Sequence, residues 1–266
     1  MPPRWHPNAF LRGSAALHAA ALAGAAVQPE YWPWALGAIA ANQAAITAGG
    51  LLPRSRLLGP NWTRLPPAAA AAGRVAITLD DGPDPEVTPR VLEVLARQGA
   101  RATFFCIGER AARQPQLVRD IVAAGHAVEN HTRRHRHDFA LLGPRRFHEE
   151  IGAAQETLAA LAGTRPRFFR APAGLRNPFL EPALARLGLQ LVSWTRRGYD
   201  TVRTDARGVL DSLTRNLAAG DILLLHDGHA ARTPAGTPVA LEVLPALLQR
   251  LSGAGLQPVT LRAALG

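Results

Sequence analysis

Seven short runs rich in Val, Ile, Leu and Phe, most of them separated by stretches of helical period, predict an α/β fold: a distorted or incomplete (β/α) barrel of about seven strands. A second observation supports the barrel. A polar residue able to do chemistry follows almost every run (Asp80 and Asp81, His131 and His135, Arg170, Asp200, His226), and a parallel barrel gathers its active site at the carboxyl ends of its strands. A third argues against an open doubly wound sheet, because no Gly-rich dinucleotide loop follows the first run.

In chain order, two Ala-rich apolar stretches come first, 15–27 and 32–52, with Gln28-Pro29-Glu30 between them. They predict an apolar helical hairpin within residues 1–60. The second stretch is long enough to cross a bilayer although Asn42 and Gln43 weaken it, whereas the first needs Phe10 and Leu11 across Arg12. Trp32 and Trp34 stand where an interfacial aromatic belt belongs. Two other readings stay open: a secretory signal cleaved near Ala23-Gly24-Ala25, and a merely amphipathic soluble pair. Residues 61–73, NWTRLPPAAAAAG, read as a linker, and 74–266 as the catalytic domain. The expected strands are 74–79, 102–106, 126–130, 167–170, 190–194, 221–226 and 257–260. Phe147, Ile151, Ala154, Leu158 and Leu161 mark an amphipathic helix, and Gly125, Gly163 and Gly188 stand where helices or loops turn.

The net charge of +10 raises nucleic acid or membrane phosphate as partners, yet all 30 basic residues are arginine, dispersed and without an aromatic-interleaved stripe. No nucleic-acid partner is expected. The single Cys106, in an apolar run, excludes an internal disulfide and a thiolate metal cluster, and reads as core.

Leu79-Asp80-Asp81-Gly82-Pro83 places two carboxylates at the end of the first strand. Taken alone it is an ordinary turn. Adjacent carboxylates repel, and a cation beside them lets one persist as a low-pKa ligand. His131 and His135, four residues apart, would share one side of a helical turn, although HTRRHRH can also be a solvated basic loop. One carboxylate and two imidazoles without cysteine suit a three-ligand site with open positions. That is the pattern of catalytic zinc and also of non-haem iron oxygenases, which form a rival class.

The segments TLDDGP, HTRRH, RAPAG, WTRRGYD and LLLHD, in this order and spacing, resemble the polysaccharide deacetylase family with the NodB homology domain, carbohydrate esterase family 4, over 74–266. The resemblance implies a metal-dependent hydrolase acting on N-acylated amino sugars with one divalent ion, zinc first. It further implies Asp80 as general base, Asp81, His131 and His135 as metal ligands, and His226 as general acid. By the same resemblance Arg170 orients the base and Asp200 holds Arg170, with a structural ion pair as the alternative, the Ala173 N–H supports the oxyanion and Leu224 lines the acyl pocket; Trp194, on a strand, either walls the groove or belongs to the core. A catalytically silent glycan-binding module is the other alternative, against which the intact Asp80, Asp81 and His226 argue.

Two departures bear on substrate. Ala173 stands where the family often has a large aromatic, and Thr201 where a tryptophan is common. Both remove stacking walls for a long glycan, while Arg196 and Arg197 bring positive charge to the mouth. The expected partner is an N-acylated amino sugar in a glycan or in a lipid-linked saccharide, with a phosphate-bearing or lipid-linked sugar favoured over a long polymer, at a bacterial inner membrane. Arg4, Arg12, Arg54, Arg56 and Arg64 flank a turn that carries Glu30, so the positive-inside tendency puts the domain in the cytoplasm, whereas family members commonly act on glycans outside the cell.

Overall fold

The computed structural model describes residues 5–265; Arg4 and Gly266, both invoked above, lie outside the described residues. The catalytic domain is a half-barrel of parallel strands backed by helices. Its strands are β1 (Arg74–Asp80), β2 (Ala102–Cys106), β3 (Ala127–Asn130), β4 (Phe168–Phe169), β5 (Gln190–Leu191), β6 (Arg196–Arg197), β7 (Ile222–His226) and β8 (Gln257–Pro258). They run β5-β4-β3-β2-β1-β7-β6, with β8 beside β1. Central β1 pairs with β7 so that Asp80 lies opposite His226, and with β2 so that Asp80 lies opposite Phe105. That register places an acid and an imidazole at one level of the carboxyl end.

All seven expected strands keep their places: the first gains Asp80, 102–106 keeps its bounds, those at 126–130, 167–170, 221–226 and 257–260 each lose one or two residues, and 190–194 narrows to two residues followed by a bridge from Val192 to Trp62. β6 was not expected as a strand. Its two residues are both arginine, so periodicity had nothing to register, and backbone pairing to Leu223 and Leu224 makes the strand.

The helices of the domain are α3 (Pro67–Ala71), α4 (Val87–Arg97), α5 (Gly108–Arg113), α6 (Pro115–Ala123), α7 (Pro144–Ala162), α8 (Leu180–Leu187), α9 (Ala206–Thr214) and α10 (Val239–Gly253). Their apolar stripes bury Val91, Leu95, Ile121, Leu213, Leu244 and Leu247 against the outer face of the sheet. Each such side chain contributes about 1.5–3 kcal/mol. A second cluster, with Phe105, Phe168, Trp194, Ile222 and Leu224, fills the barrel interior beneath the site. A third, Phe139, Phe147, Ile151, Phe169 and Leu184, fixes the α7 side, and α7 and α8 end at left-handed Gly163 and Gly188 as their positions predict. Residues 61–73 are not a free linker: Leu65 and Ala69 are buried, α3 lies within the segment, and Leu65 N–H donates to the Gly220 carbonyl.

Ahead of them, α1 (Ala9–Val27) and α2 (Trp32–Leu51) form a hairpin. Asn8 caps α1 by accepting from the Leu11 N–H, so the helix runs through Arg12 and reaches 19 residues. This reverses the sequence expectation. Among the described residues α1 alone is long and apolar enough to cross a membrane, while Asn42 and Gln43 interrupt α2. Asn42 faces the seam, where its Nδ2 donates to Ser14 Oγ at 2.7 Å, while exposed Gln43 places its Nε2 3.2 Å from His18 Nε2. The outer faces carry exposed Leu22 (65%), Trp34 (79%), Trp32 and Leu36.

Candidate active site

The carboxyl ends of the strands surround a groove of about 250 Å³. Asp80, Asp81, His131, His135, Ala173, Trp194, Arg197, Leu224 and His226 all line it, as does Thr201. Of the residues singled out from sequence, Arg170 and Asp200 lie directly behind this lining and Arg196 points elsewhere.

Asp81, just past β1, has a left-handed backbone (φ 72°) that turns its carboxylate away from that of Asp80. Its Oδ1 is buried with no hydrogen-bond donor and lies 3.2 Å from both His131 Nε2 and His135 Nε2. Metal bonds of ~2.0–2.2 Å at a tetrahedral angle separate ligand atoms by about 3.3 Å, so this donor set fits a divalent ion. The Nδ1–H of His131 donates to the Arg170 carbonyl at 2.8 Å, which leaves Nε2 as the lone-pair nitrogen facing Asp81.

The two histidines do not share a helical turn. They lie in a loop after β3 in which Thr132 and His135 both have positive φ. Local hydrogen bonds replace the helix: Asn130 Oδ1 accepts from Thr132 N–H, Thr132 Oγ1 accepts from His135 N–H, and Asn130 Nδ2 donates to Gln155 Oε1 on α7. The non-glycine residues with positive φ are Asp81, Thr132, His135, Ala173, Tyr199, Asn216 and His229, and all but Asn216 adjoin the groove. Backbone strain thus concentrates where side chains must be aimed.

Asp80 is anchored by Arg170, 1% exposed, whose Nη1 donates to Asp80 Oδ1 and to Thr78 Oγ1, each at 2.7 Å. Its Nη2 and Nε donate to the Ser193 and Val192 carbonyls, and its guanidinium lies 4.2 Å above the Phe105 ring. Asp80 Oδ2 is left 3.9 Å from His131 Nε2. Asp200 does not hold Arg170, contrary to expectation. It binds His226 twice, accepting from Nδ1 at 2.9 Å and from the backbone N–H at 2.7 Å. The loop after β6 brings Asp200 to the end of β7, and the three guanidinium nitrogens of Arg170 already make four hydrogen bonds, to Thr78 and Asp80 on β1 and to the 192–193 carbonyls.

Arg196 also departs from expectation. It donates to Asp221 Oδ2 at 3.0 Å and to the Asn216 carbonyl, because alternate residues of a strand face opposite sides, and only Arg197 reaches the groove.

The charges reinforce one another. Burial alone would raise the Asp81 carboxyl, but the three imidazoles packed around it, His131, His229 and His135, hold it far below the usual carboxylate range. Burial would pull His131 and His226 down. Asp80 and Asp81 outweigh it at His131, and Asp200 outweighs it at His226, so both imidazoles are raised. His135 is lowered to about 4 by burial and by the neighbouring His131.

Sequence reasoning overlooked three groups. His229 Nδ1 lies 3.3 Å from Asp81 Oδ2, and Arg110 donates both to His229 and to the Asp81 carbonyl. Asp227, pushed up to about 7 by burial, accepts from Thr88 Oγ1 at 2.6 Å beneath the site. His229 was legible as a third imidazole in HDGH. A larger hollow, about 510 Å³, lies at the opposite ends of the strands, and Arg101 is the one ionisable residue among its described lining residues.

The profile of the polysaccharide deacetylase family matches residues 68–192. A chitooligosaccharide deacetylase of Bradyrhizobium sp. (strain ANU 289) is 38% identical over 156 residues, 58% of this chain and 71% of that protein. A peptidoglycan-N-acetylglucosamine deacetylase of Bacillus cereus is 33% identical over 184 residues, 65% of this chain and 81% of that one. Among solved structures, a family 4 carbohydrate esterase from Streptomyces lividans in complex with acetate superposes with TM-score 0.63 at 34% identity, covering 70% of this chain and 91% of that one. A Bacillus anthracis pseudoenzyme of the same esterase family, 22% identical with TM-score 0.69 over 79% of this chain and 71% of that one, shares the fold alone.

Proposed function

This chain belongs to the polysaccharide deacetylase family, and from that premise we propose that it is a divalent-metal-dependent hydrolase that removes an acetyl or similar short acyl group from the nitrogen of an amino sugar. One observation carries the reading: a three-ligand donor set, an arginine-anchored carboxylate and a carboxylate-anchored imidazole converge on one groove.

Asp81, His131 and His135 are the residues that would hold the ion, and zinc suits an Asp-His-His set. Such an ion polarises an acyl carbonyl and lowers the pKa of water. The remaining work belongs to the protein. Asp80, held by Arg170 through Oδ1, accepts the proton of the attacking water. The Ala173 N–H, on a turn with φ 52°, supports the negative charge that develops on the carbonyl oxygen. His226 hands a proton to the departing nitrogen, since an amine cannot leave as an anion. Its Nδ1 is held by Asp200, which leaves Nε2 for that transfer and keeps the ring protonated to higher pH. Leu224 and Trp194 shape the apolar wall that receives the acyl group and the sugar face. Water adds its oxygen to the acyl carbon, the C–N bond breaks, and a carboxylate and an amine leave.

The hairpin is the membrane element of this reading. At 1.5 Å per residue the 19 residues of α1 span about 30 Å, and α2 packs along it with Asn42 donating to Ser14 in the seam. Arg12, Arg54 and Arg56 near its root and Glu30 at its tip favour the cytoplasmic side of a bacterial inner membrane. An amino sugar presented at that surface, lipid-linked or phosphorylated, suits a groove lacking stacking aromatics at Ala173 and Thr201.

Asp80→Asn and His226→Ala test the reaction, because neither residue belongs to the donor set. Each is expected to keep its metal and its fold while acetate release falls by about 10²–10⁴-fold. Near wild-type turnover in either would eliminate that residue's assigned role.

A further inference from the structure

The hairpin is not tethered loosely to the catalytic domain; its root is built into one wall of the groove. The Arg176 N–H donates to the Gly50 carbonyl at 3.1 Å, and the close approach leaves no room for a Cβ at residue 50. Arg176 Nη2 donates to the Ser55 carbonyl at 2.6 Å, and Asn61 Nδ2 donates to the Pro53 and Ser55 carbonyls. Gly174, itself a groove residue with φ 73°, lies against Pro53 on one side and the Trp194 ring on the other. The chain that leaves α2 therefore touches the active-site wall within two residues of the helix end.

Arg54, Arg176 and Arg197 stand at this junction without a carboxylate within 4 Å among the described residues; Arg176 is buried and spends its Nη2 on the Ser55 carbonyl, which leaves Arg54 and Arg197 to face outward. Arg197 lines the groove, packs its guanidinium over the faces of Trp194 (5.4 Å) and Tyr199 (5.0 Å), and has a buried Nε with no hydrogen-bond acceptor. Exposed Arg54, next to Pro53, donates to the Thr195 carbonyl at 3.3 Å, two residues before Arg197. Neighbouring arginines differ: Arg196 and Arg64 are both neutralised by Asp221. Stacking on aromatic rings fixes a guanidinium while leaving its in-plane donors free for a planar or tetrahedral anion.

Resting on the membrane deacylase reading above, we infer that this junction is a phosphate subsite: Arg54 and Arg197 grip the phosphate that joins an N-acylated amino sugar to a membrane lipid. The lipid chain then lies beside the hairpin, the phosphate at its root, and the sugar over Trp194 with its acyl amide toward Asp80 and His226. A neutral sugar polymer leaves both arginines unused.

The test uses the full-length protein in lipid nanodiscs with three substrates: a neutral N-acetylated chitooligosaccharide, N-acetylglucosamine 1-phosphate, and N-acetylglucosamine joined by phosphate to a polyprenyl lipid. Arg54→Gln is expected to lower kcat/KM on both phosphate-bearing substrates by about tenfold, the size of one charge-assisted hydrogen bond, and to leave the neutral one within about twofold. Arg54→Lys should recover part of the loss. Arg197→Gln should lower all three, the phosphate-bearing pair by a further factor of about ten. Arg113→Gln, which removes an equal charge paired with Glu109, should discriminate among none. Equal losses on neutral and phosphorylated substrates overturn the subsite. Equal kcat/KM for the sugar phosphate and its lipid conjugate overturns the lipid part. Broadening of the ³¹P signal of N-acetylglucosamine 1-phosphate by metal-free protein, abolished in Arg54→Gln, supports the subsite independently of turnover. If that binding persists while none of the three substrates is hydrolysed, the deacylase reading fails and the subsite stands.

Discussion

The catalytic groove and the N-terminal hairpin place polar atoms by opposite rules. In the domain, Arg170, Asp80, Asp200 and His226 are all buried, and each is held by a charged partner at 2.7–2.9 Å above an apolar interior. In the hairpin most of the outside is apolar, although Arg12, Gln43 and Thr47 are exposed, and Ser14 and Asn42 meet in the seam. A folded surface in water is built the first way, and a helix pair in lipid the second, because hydrocarbon offers no hydrogen bonds. The two arrangements meet at the root of the hairpin, where Pro53 packs against Gly174.

The largest effect expected on the groove side comes from the donor set. His131→Ala and His135→Ala should each abolish retention of a divalent ion in dialysed protein, with acetate release lost along with it. Elemental analysis finding wild-type occupancy in the double substitution would remove this site from the account.

Next in size is the Asp200–His226 pair. Burial pulls the His226 pKa down and Asp200 more than restores it, so the acid form is lost only as pH rises through a raised value. Asp200→Asn removes the restoring charge. The alkaline limb of kcat/KM should shift to lower pH, with activity near neutrality reduced by about 10–100-fold. An unmoved limb would separate Asp200 from the acid's titration.

Much of this was legible in the sequence. Short continuous apolar runs, each followed by a polar residue, located the sheet, and the order of TLDDGP, HTRRH and LLLHD located the residues at its carboxyl ends. Pairing across the groove was not legible. Which carboxylate meets which cation depends on where a loop turns, and Asp200 reaches His226 rather than Arg170 because the chain after β6 passes the end of β7. The left-handed backbone at Ala173 likewise comes from tertiary packing, since alanine does not favour it. Arg196 and Arg197 look alike in sequence, and a two-residue strand sends one to Asp221 and the other to the groove. The extent of α1 turned on its cap, with Asn8 starting the helix early enough to reach a spanning length.

The smallest effect is expected at the hairpin's outer face. Leu22→Arg puts a charge where lipid is expected, at a cost of about 2.5–3.5 kcal/mol, and should move part of the full-length protein out of carbonate-washed membranes. In water the same substitution, at a site 65% exposed, would change nothing. Unchanged partitioning would assign the apolar face to something other than a bilayer.

The most direct measurement is a zinc titration of the metal-stripped full-length protein, with acetate released from an N-acetylated amino sugar followed by proton NMR. The account predicts that the rate rises to a plateau at one zinc per chain and stays at baseline in the His131→Ala/His135→Ala variant. Zinc bound at one per chain with no acetate from neutral, phosphorylated or lipid-linked sugars would mark a silent binding module. Acetate release indifferent to zinc and to both histidines would contradict the site itself.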